Sequence, residues 1–168
     1  MKDWQGLRDW CQMWTKSEPE NADAWFGLGS AYGALNRSDD AIAAYRQVLR
    51  ISPEDADAWN MIGAAYRHLD RYDDAMEAFR QALRIKPKHA DAWFGLGSAF
   101  DFLDRYDEAI DAYRQALRIK PQFADAWFCL GLAYNDSGNQ TAALNAIQEL
   151  RRLDPEQAEL LFNLIVPR

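Results

Sequence analysis

The stretch ADAWFGLGSAYGAL, Ala22 to Leu35, sets three glycines, Gly27, Gly29 and Gly33, in an apolar run beside a serine. A dinucleotide-binding loop reads G-x-G-x-x-G and joins a strand to a helix. Here the spacing is G-x-G-x-x-x-G, one residue too long. The preceding KSEPEN, Lys16 to Asn21, is polar, holds a proline and does not read as a strand. The phosphate-cradle reading fails on context, and the recurrence of the stretch supplies another.

It returns almost unchanged as ADAWFGLGSAF at Ala90–Phe100. Trp25, Trp59, Trp93 and Trp127 stand 34 residues apart, and Pro19, Pro53, Pro87, Pro121 and Pro155 keep the same step. So do Gly29, Gly63, Gly97 and Gly131. A fixed period of this size marks a stack of helical units. Trp, Leu or Ile, and Tyr or Phe at steps of three and four give one face of a first helix, A. An alanine and an aromatic four apart (Ala41 and Tyr45, Ala75 and Phe79, Ala109 and Tyr113) give the face of a second helix, B, where the fourth unit has Ala143 and Ile147. The repeated glycine lets helix B approach helix A closely. The recurring tryptophan is expected to bury its ring, which outweighs the cost of glycine in a helix, about 1 kcal/mol.

Between the two helices Asn36, Asp70, Asp104 and Gly138 hold one slot. All three residue types tolerate the left-handed conformation that ends a helix. Asp39, Asp73 and Asp107 follow at the start of helix B, and Arg50, Arg84, Arg118 and Arg152 fall near its end, each suited to the helix dipole. The prolines then stop helix B.

The pattern W-x-x-[LI]-G-x-x-[YF], then Ala, three residues and an aromatic, then Pro, resembles the tetratricopeptide repeat family. The resemblance covers Ala22–Gln157 in four copies without insertion. It departs at Ile147, where an aromatic is usual, and at Val48 and Leu150, where the family prefers a small residue. The fold class it implies is all-α, a right-handed α-solenoid of antiparallel helix pairs. One solenoid domain over 1–168 is expected, with repeats at 22–55, 56–89, 90–123 and 124–157. Residues 1–21 match a lone B helix, and residues 158–168 match a lone A helix.

The resemblance also implies that the A helices line an inner, concave wall and that the protein is a non-catalytic scaffold for a peptide or protein. The wall positions here are Asp23, Phe26 and Ser30; Asp57, Asn60, Ala64, Arg67 and His68; Asp91, Phe94, Ser98, Asp101 and Phe102; and Asp125, Phe128, Leu132 and Asn135, with Asp136 beside them. Six aspartates against one arginine give this wall −5 of the chain's −7. Basic residues of a partner would meet the aspartates, and apolar ones would pack on the phenylalanines. The bland alternative is that the aspartates serve helix starts and the phenylalanines are ordinary for the family. A subgroup of the family grips the C-terminal carboxylate of chaperone peptides with Lys, Asn and Arg. The slots here hold Phe26, Ser30, Met61, Asp91 and Gly95, or one repeat on Asn60, Ala64, Gly95, Asp125 and Cys129. None is basic, so a carboxylate clamp is not expected.

The two half-repeats suggest a competing reading, self-assembly by head-to-tail contact between the ends. Its expected residues are Trp4, Leu7, Trp10 and Trp14 on one side and Leu161, Phe162, Leu164 and Ile165 on the other. The alternative is that each half-helix caps its own end.

Composition narrows the rest. A net charge of −7 and a pI near 4.8 argue against a nucleic-acid partner held through phosphates. No apolar run reaches the roughly 18 residues of a membrane span, and the N-terminus shows no secretory h-region, so a cytoplasmic location is the expectation. Cys11 and Cys129 have no C-x-x-C spacing. His68 and His89 have no Cys or second His at helical spacing, so no metal, cofactor or catalytic group is expected, and both read as surface histidines.

Overall fold

In the computed structural model, residues 3–166 are described, and these form ten α-helices and no strand. The helices are α1 (Trp4–Ser17), α2 (Ala22–Ala34), α3 (Ser38–Ile51), α4 (Ala56–His68), α5 (Tyr72–Ile85), α6 (Ala90–Asp101), α7 (Tyr106–Ile119), α8 (Ala124–Asp136), α9 (Gln140–Leu153) and α10 (Pro155–Ile165). The chain divides into two compact units, Met1–Pro87 and Lys88–Arg168. In the first, α1 packs on α2, α2 on α3, α3 on α4 and α4 on α5. In the second, α6 packs on α7, α7 on α8, α8 on α9, and α10 on both α8 and α9. The class is all-α, built from helix pairs.

The pairs end as their turn residues require. Asn36, Asp70 and Asp104 have φ of 57°, 55° and 56°, and Gly138 has 83°. The left-handed residue lets the next N–H reach back across the turn. Arg37 N donates to the Tyr32 carbonyl at 2.9 Å, Arg71 N to Tyr66, Arg105 N to Phe100, and Asn139 N to Tyr134. At the starts of the A helices Asn21, Asp55, His89 and Asp154 accept backbone N–H bonds from the first turn. Phe123 fills that slot before α8 and gives no such bond. Its ring instead lies 4.9 Å from Phe94, with the Lys120 ammonium 4.3 Å from its centre.

The glycines of the opening stretch are packing positions inside helices. A Cβ on Gly29, Gly63 or Gly97 would stand 2.7 Å from the ring of Tyr45, Phe79 or Tyr113 respectively. Those three rings are almost fully buried. At Gly131 the neighbour is Leu161 of α10, 2.6 Å away, so an aliphatic side chain from the next helix fills the place that Ile147 leaves.

Three expectations are corrected. The four repeated tryptophans are half-buried, not core. The indole N–H of Trp25 donates to the Pro19 carbonyl (2.8 Å) and that of Trp127 to Pro121 (2.9 Å), which holds one edge at the surface. The fully buried mass comes from alanines, the B-helix aromatics Tyr45, Phe79 and Tyr113, and aliphatic side chains such as Ile62, Val48, Leu150 and Leu161. His89 is buried, not a surface residue, and its Nδ1 accepts from Ala92 N at 3.3 Å. The last helix begins at Pro155, three residues before the expected boundary, because Pro155 takes the first helical position behind the Asp154 cap.

Candidate functional site

The A-helix face of the first unit is carried by α2 and α4. Asp23 and Asp57 stand exposed in the first turns of these helices, and Phe26, Asn60, Ala64 and Arg67 are half-buried. Phe26 meets Tyr45 edge-on, ring centres 5.2 Å apart. Ser30 Oγ donates to the Phe26 carbonyl (3.0 Å) and lies 3.2 Å from Tyr45 Oη. The Tyr45 hydroxyl is shifted to higher pKa by burial, a shift that the Ser30 hydrogen bond opposes. Ser30, Ala64 and His68, from α2 and α4, line one small cavity of about 190 Å³ together with Tyr45. The structure therefore brings these three expected residues together.

The face of the second unit is carried by α6 and α8. Asp91 and Asp125 are exposed, Phe94, Phe128, Leu132 and Asn135 are half-buried, and Ser98 is buried. Phe94 packs on Tyr113 (5.7 Å) as well as Phe123. Phe128 and Leu132 pack on the core formed with α9 and α10. The row of exposed phenylalanines read from the sequence thus becomes three rings turned largely into their own repeats. Phe102 alone of the four is exposed, at 59%.

Asp101 at the end of α6 has an unusual setting. Its Oδ1 is buried without a hydrogen-bond partner among the described residues. Burial first, then the charges of Asp136 and Asp104, push its pKa up to about 6. Burial also raises the Tyr113 hydroxyl, with Cys129 and Asp101 adding to the shift and a hydrogen bond with Ser98 opposing it. The sequence marked Asp101 as a wall residue but carried no signal that its carboxylate lacks a partner.

The expected end residues divide. Leu7, Trp10 and Leu164 are exposed, and Trp4 and Trp14 are half-buried. Trp10 and Trp14 touch each other, ring centres 4.9 Å apart. Leu161 and Ile165 are buried inside the chain's own core against α8 and α9, and Phe162 is half-buried on the same core. Those three are therefore packed within the chain, and the exposed apolar residues here are Leu160 and Leu164 of α10 with Val166 just beyond its end. Among the described residues no group of three or more His, Cys, Asp or Glu side chains is placed to hold a metal ion, and no helix is long and apolar enough to cross a membrane.

Helix pairs with glycine-mediated contacts and left-handed turns define a helical-repeat scaffold. The family comparison agrees. A model described as "Tetratricopeptide repeat" matches residues 8–55 and 28–90, and one described as "TPR repeat" matches 103–138. The chain belongs to the tetratricopeptide repeat family. Among solved structures, one described as the crystal structure of MamA is 27% identical, with a TM-score of 0.81 over 94% of this chain and 92% of that one. MamA 41-end from Desulfovibrio magneticus RS-1 is 19% identical, with a TM-score of 0.80 over 92% of this chain and 87% of that one. YrrB, described as a TPR protein with an unusual peptide-binding site, is 20% identical, with a TM-score of 0.73 over 92% of this chain and 82% of that one. The last two show likeness of fold alone. No curated protein sequence matches this chain.

Proposed function

We propose that the protein is a non-catalytic interaction scaffold whose A helices hold a partner segment rich in basic and apolar side chains. The observation that carries this is Asp101, a carboxylate with a buried, unpartnered oxygen, flanked by Asp104 and Asp136. A carboxylate in that setting gains a charge-assisted hydrogen bond when a lysine or arginine reaches it. Exposed Asp91 and Asp125 extend the acidic face of the same unit, and Phe102 offers an exposed ring beside Asp101.

A blocked hexapeptide of alternating arginine and leucine, titrated calorimetrically, tests the reading. Asp91→Lys with Asp125→Lys is expected to weaken its binding at least about tenfold, and a glutamate–leucine peptide should not bind. Unchanged affinity in the charge-reversed protein removes the proposal.

A second reading, self-association, rests on the exposed apolar faces of α1 (Trp10 at 56%, Met13 at 70%) and α10 (Leu160 at 55%, Leu164 at 57%). Sedimentation velocity from micromolar to millimolar concentration separates the two. The second expects a rising average mass that Leu160→Glu with Leu164→Glu abolishes, and a strict monomer throughout rules it out.

A further inference from the structure

The fourth repeat breaks a pattern that the first three keep. Arg37, Arg71 and Arg105 each stand 4.6 Å from the ring centre of Tyr32, Tyr66 or Phe100. Each is held there by an acid three residues on: Asp40 at 2.7 Å, Asp74 at 2.7 Å and Glu108 at 2.6 Å. In the fourth repeat the two slots hold Asn139 and Ala142. Asn139 instead caps α9, accepting from Ala142 N at 3.1 Å, and among the described residues no guanidinium covers the Tyr134 ring as one covers its three counterparts. Tyr134 is accordingly half-buried where its three counterparts are buried.

A cavity of about 460 Å³ opens in the same place, between α7, α8 and α9. That volume is within the range of small-ligand pockets, about 300–1,000 Å³. Trp127, Tyr134, Leu117 and Ala142 line it, and Arg114 and Arg118 border it. The Trp127 N–H is already given to Pro121, so the indole contributes an apolar wall. In the first unit the residue in the Arg114 slot engages the next tyrosine: Gln12 Nε2 donates to Tyr32 Oη and an Arg46 guanidinium nitrogen to Tyr66 Oη, both at 2.7 Å. Arg114 makes no such bond to Tyr134, and neither Arg114 nor Arg118 has an ion pair or hydrogen-bond partner among the described residues. The lining also holds Glu149, but Arg152 takes its carboxylate at 3.0 Å. On a chain of net charge −7, Arg114 and Arg118 thus set two positive groups beside an uncovered ring.

We propose that this cavity binds a partner peptide segment in which an aromatic side chain stands next to a carboxylate. The ring enters against Trp127 and Tyr134, and the carboxylate meets Arg114 and Arg118, which as a pair of planar forks suit its two oxygens. Both guanidinium groups are exposed at the rim, where a segment still attached to a folded partner can reach them. The site lies apart from the acidic A-helix face and selects the opposite charge, so one chain would hold two dissimilar segments.

The probe is the blocked peptide Ac-Gly-Asp-Phe-Gly-NH2, followed by calorimetry and by the amide and indole resonances of Trp127 and Tyr134. Saturable binding that shifts those resonances is expected. Affinity should fall at least about tenfold in Arg114→Ala with Arg118→Ala, and as much with the uncharged Ac-Gly-Asn-Phe-Gly-NH2. Asn139→Arg with Ala142→Glu should also abolish it, by restoring the cover. That variant writes into the fourth repeat the pair already present at Arg105 and Glu108, so it is compatible with the fold. Three results overturn the proposal: no saturable binding, equal binding of the asparagine peptide, or unchanged binding after the cover is restored. Tighter binding of free 3-phenylpropionate than of the peptide overturns it too, because the site would then serve a small molecule.

Discussion

In the third repeat Gly97 of α6 lies under the ring of Tyr113, whereas in the fourth Gly131 of α8 lies under the methyl groups of Leu161 from α10. The two glycines occupy one slot of the repeat, and the space above each is filled from a different direction. In the third repeat the filler is the partner helix of the same pair. In the fourth that position is Ile147, and the helix after the pair reaches across instead. Other departures in and just before the fourth repeat fall together with this one. Phe123 replaces a capping side chain before α8, Asn139 replaces the covering arginine, and Pro155 opens α10 without the usual turn. The contrast teaches that the slot pattern constrains where space must be filled, not which residue fills it.

The largest test of this contrast is Leu161→Ala. Leu161 is fully buried and is the contact for Gly131, so its loss leaves a cavity that no aromatic from α9 can enter. Equilibrium urea unfolding is expected to show a loss of about 3 kcal/mol. A loss below about 1 kcal/mol would mean that Ile147 moves in and that the fourth repeat closes like the third.

The next is the pair Gly97→Ala and Gly131→Ala. The added methyl meets the Tyr113 ring in the first case, and that ring is itself fully buried. In the second it meets the end of a branched aliphatic side chain, which can rotate aside. Gly97→Ala is expected to cost about 2 kcal/mol net and Gly131→Ala about 1 kcal/mol or less, since alanine also favours the helix. Equal losses would erase the distinction drawn between the two repeats.

Much of this fold is legible in the sequence, for reasons that are local. The slot held by Asn36, Asp70, Asp104 and Gly138 needs a residue that tolerates positive φ, and only a few types do. The glycine slot needs an absent side chain, which is visible in any copy of the repeat. Burial is another matter, because it depends on what stands opposite. Phe26 and Phe94 follow a repeated tryptophan and read as wall residues, yet each ring finds the B-helix tyrosine of its own pair. His89 reads as a surface histidine, and its cap is seen only once α6 is placed. Nothing in the sequence marks Arg37, Arg71 and Arg105 as ring covers, because the rings they cover lie five residues earlier on another helix. The open cavity of the fourth repeat was written as a pair of substitutions, Asn139 and Ala142, whose meaning needs the arginine–acid pairs of the other three to be seen.

The smallest expected effect concerns one slot on the same face, Asp101 in the third repeat and Asn135 in the fourth. Burial, and after it the charges of Asp136 and Asp104, raise Asp101 to about 6 in the folded protein, against about 3.9 for an ordinary aspartate. The folded state therefore holds a proton that the unfolded state has released between about pH 4 and 6. By linkage, stability falls as pH rises through that window and levels off above it. Asp101→Asn gives the third repeat the amide of the fourth and removes the titration. At pH 4 the substitution is expected to be nearly neutral. At pH 7 it should stabilise by on the order of 1 kcal/mol, a figure reduced for the residue's partial contact with water. Urea midpoints at the two pH values check it, and an equal change at both would show that the carboxylate is not strained. The same substitution bears on the acidic face. If a basic segment binds there by satisfying Asp101, its affinity for the wild type weakens below about pH 6 as the carboxylate takes up its proton, while the asparagine variant binds more weakly and without that pH dependence.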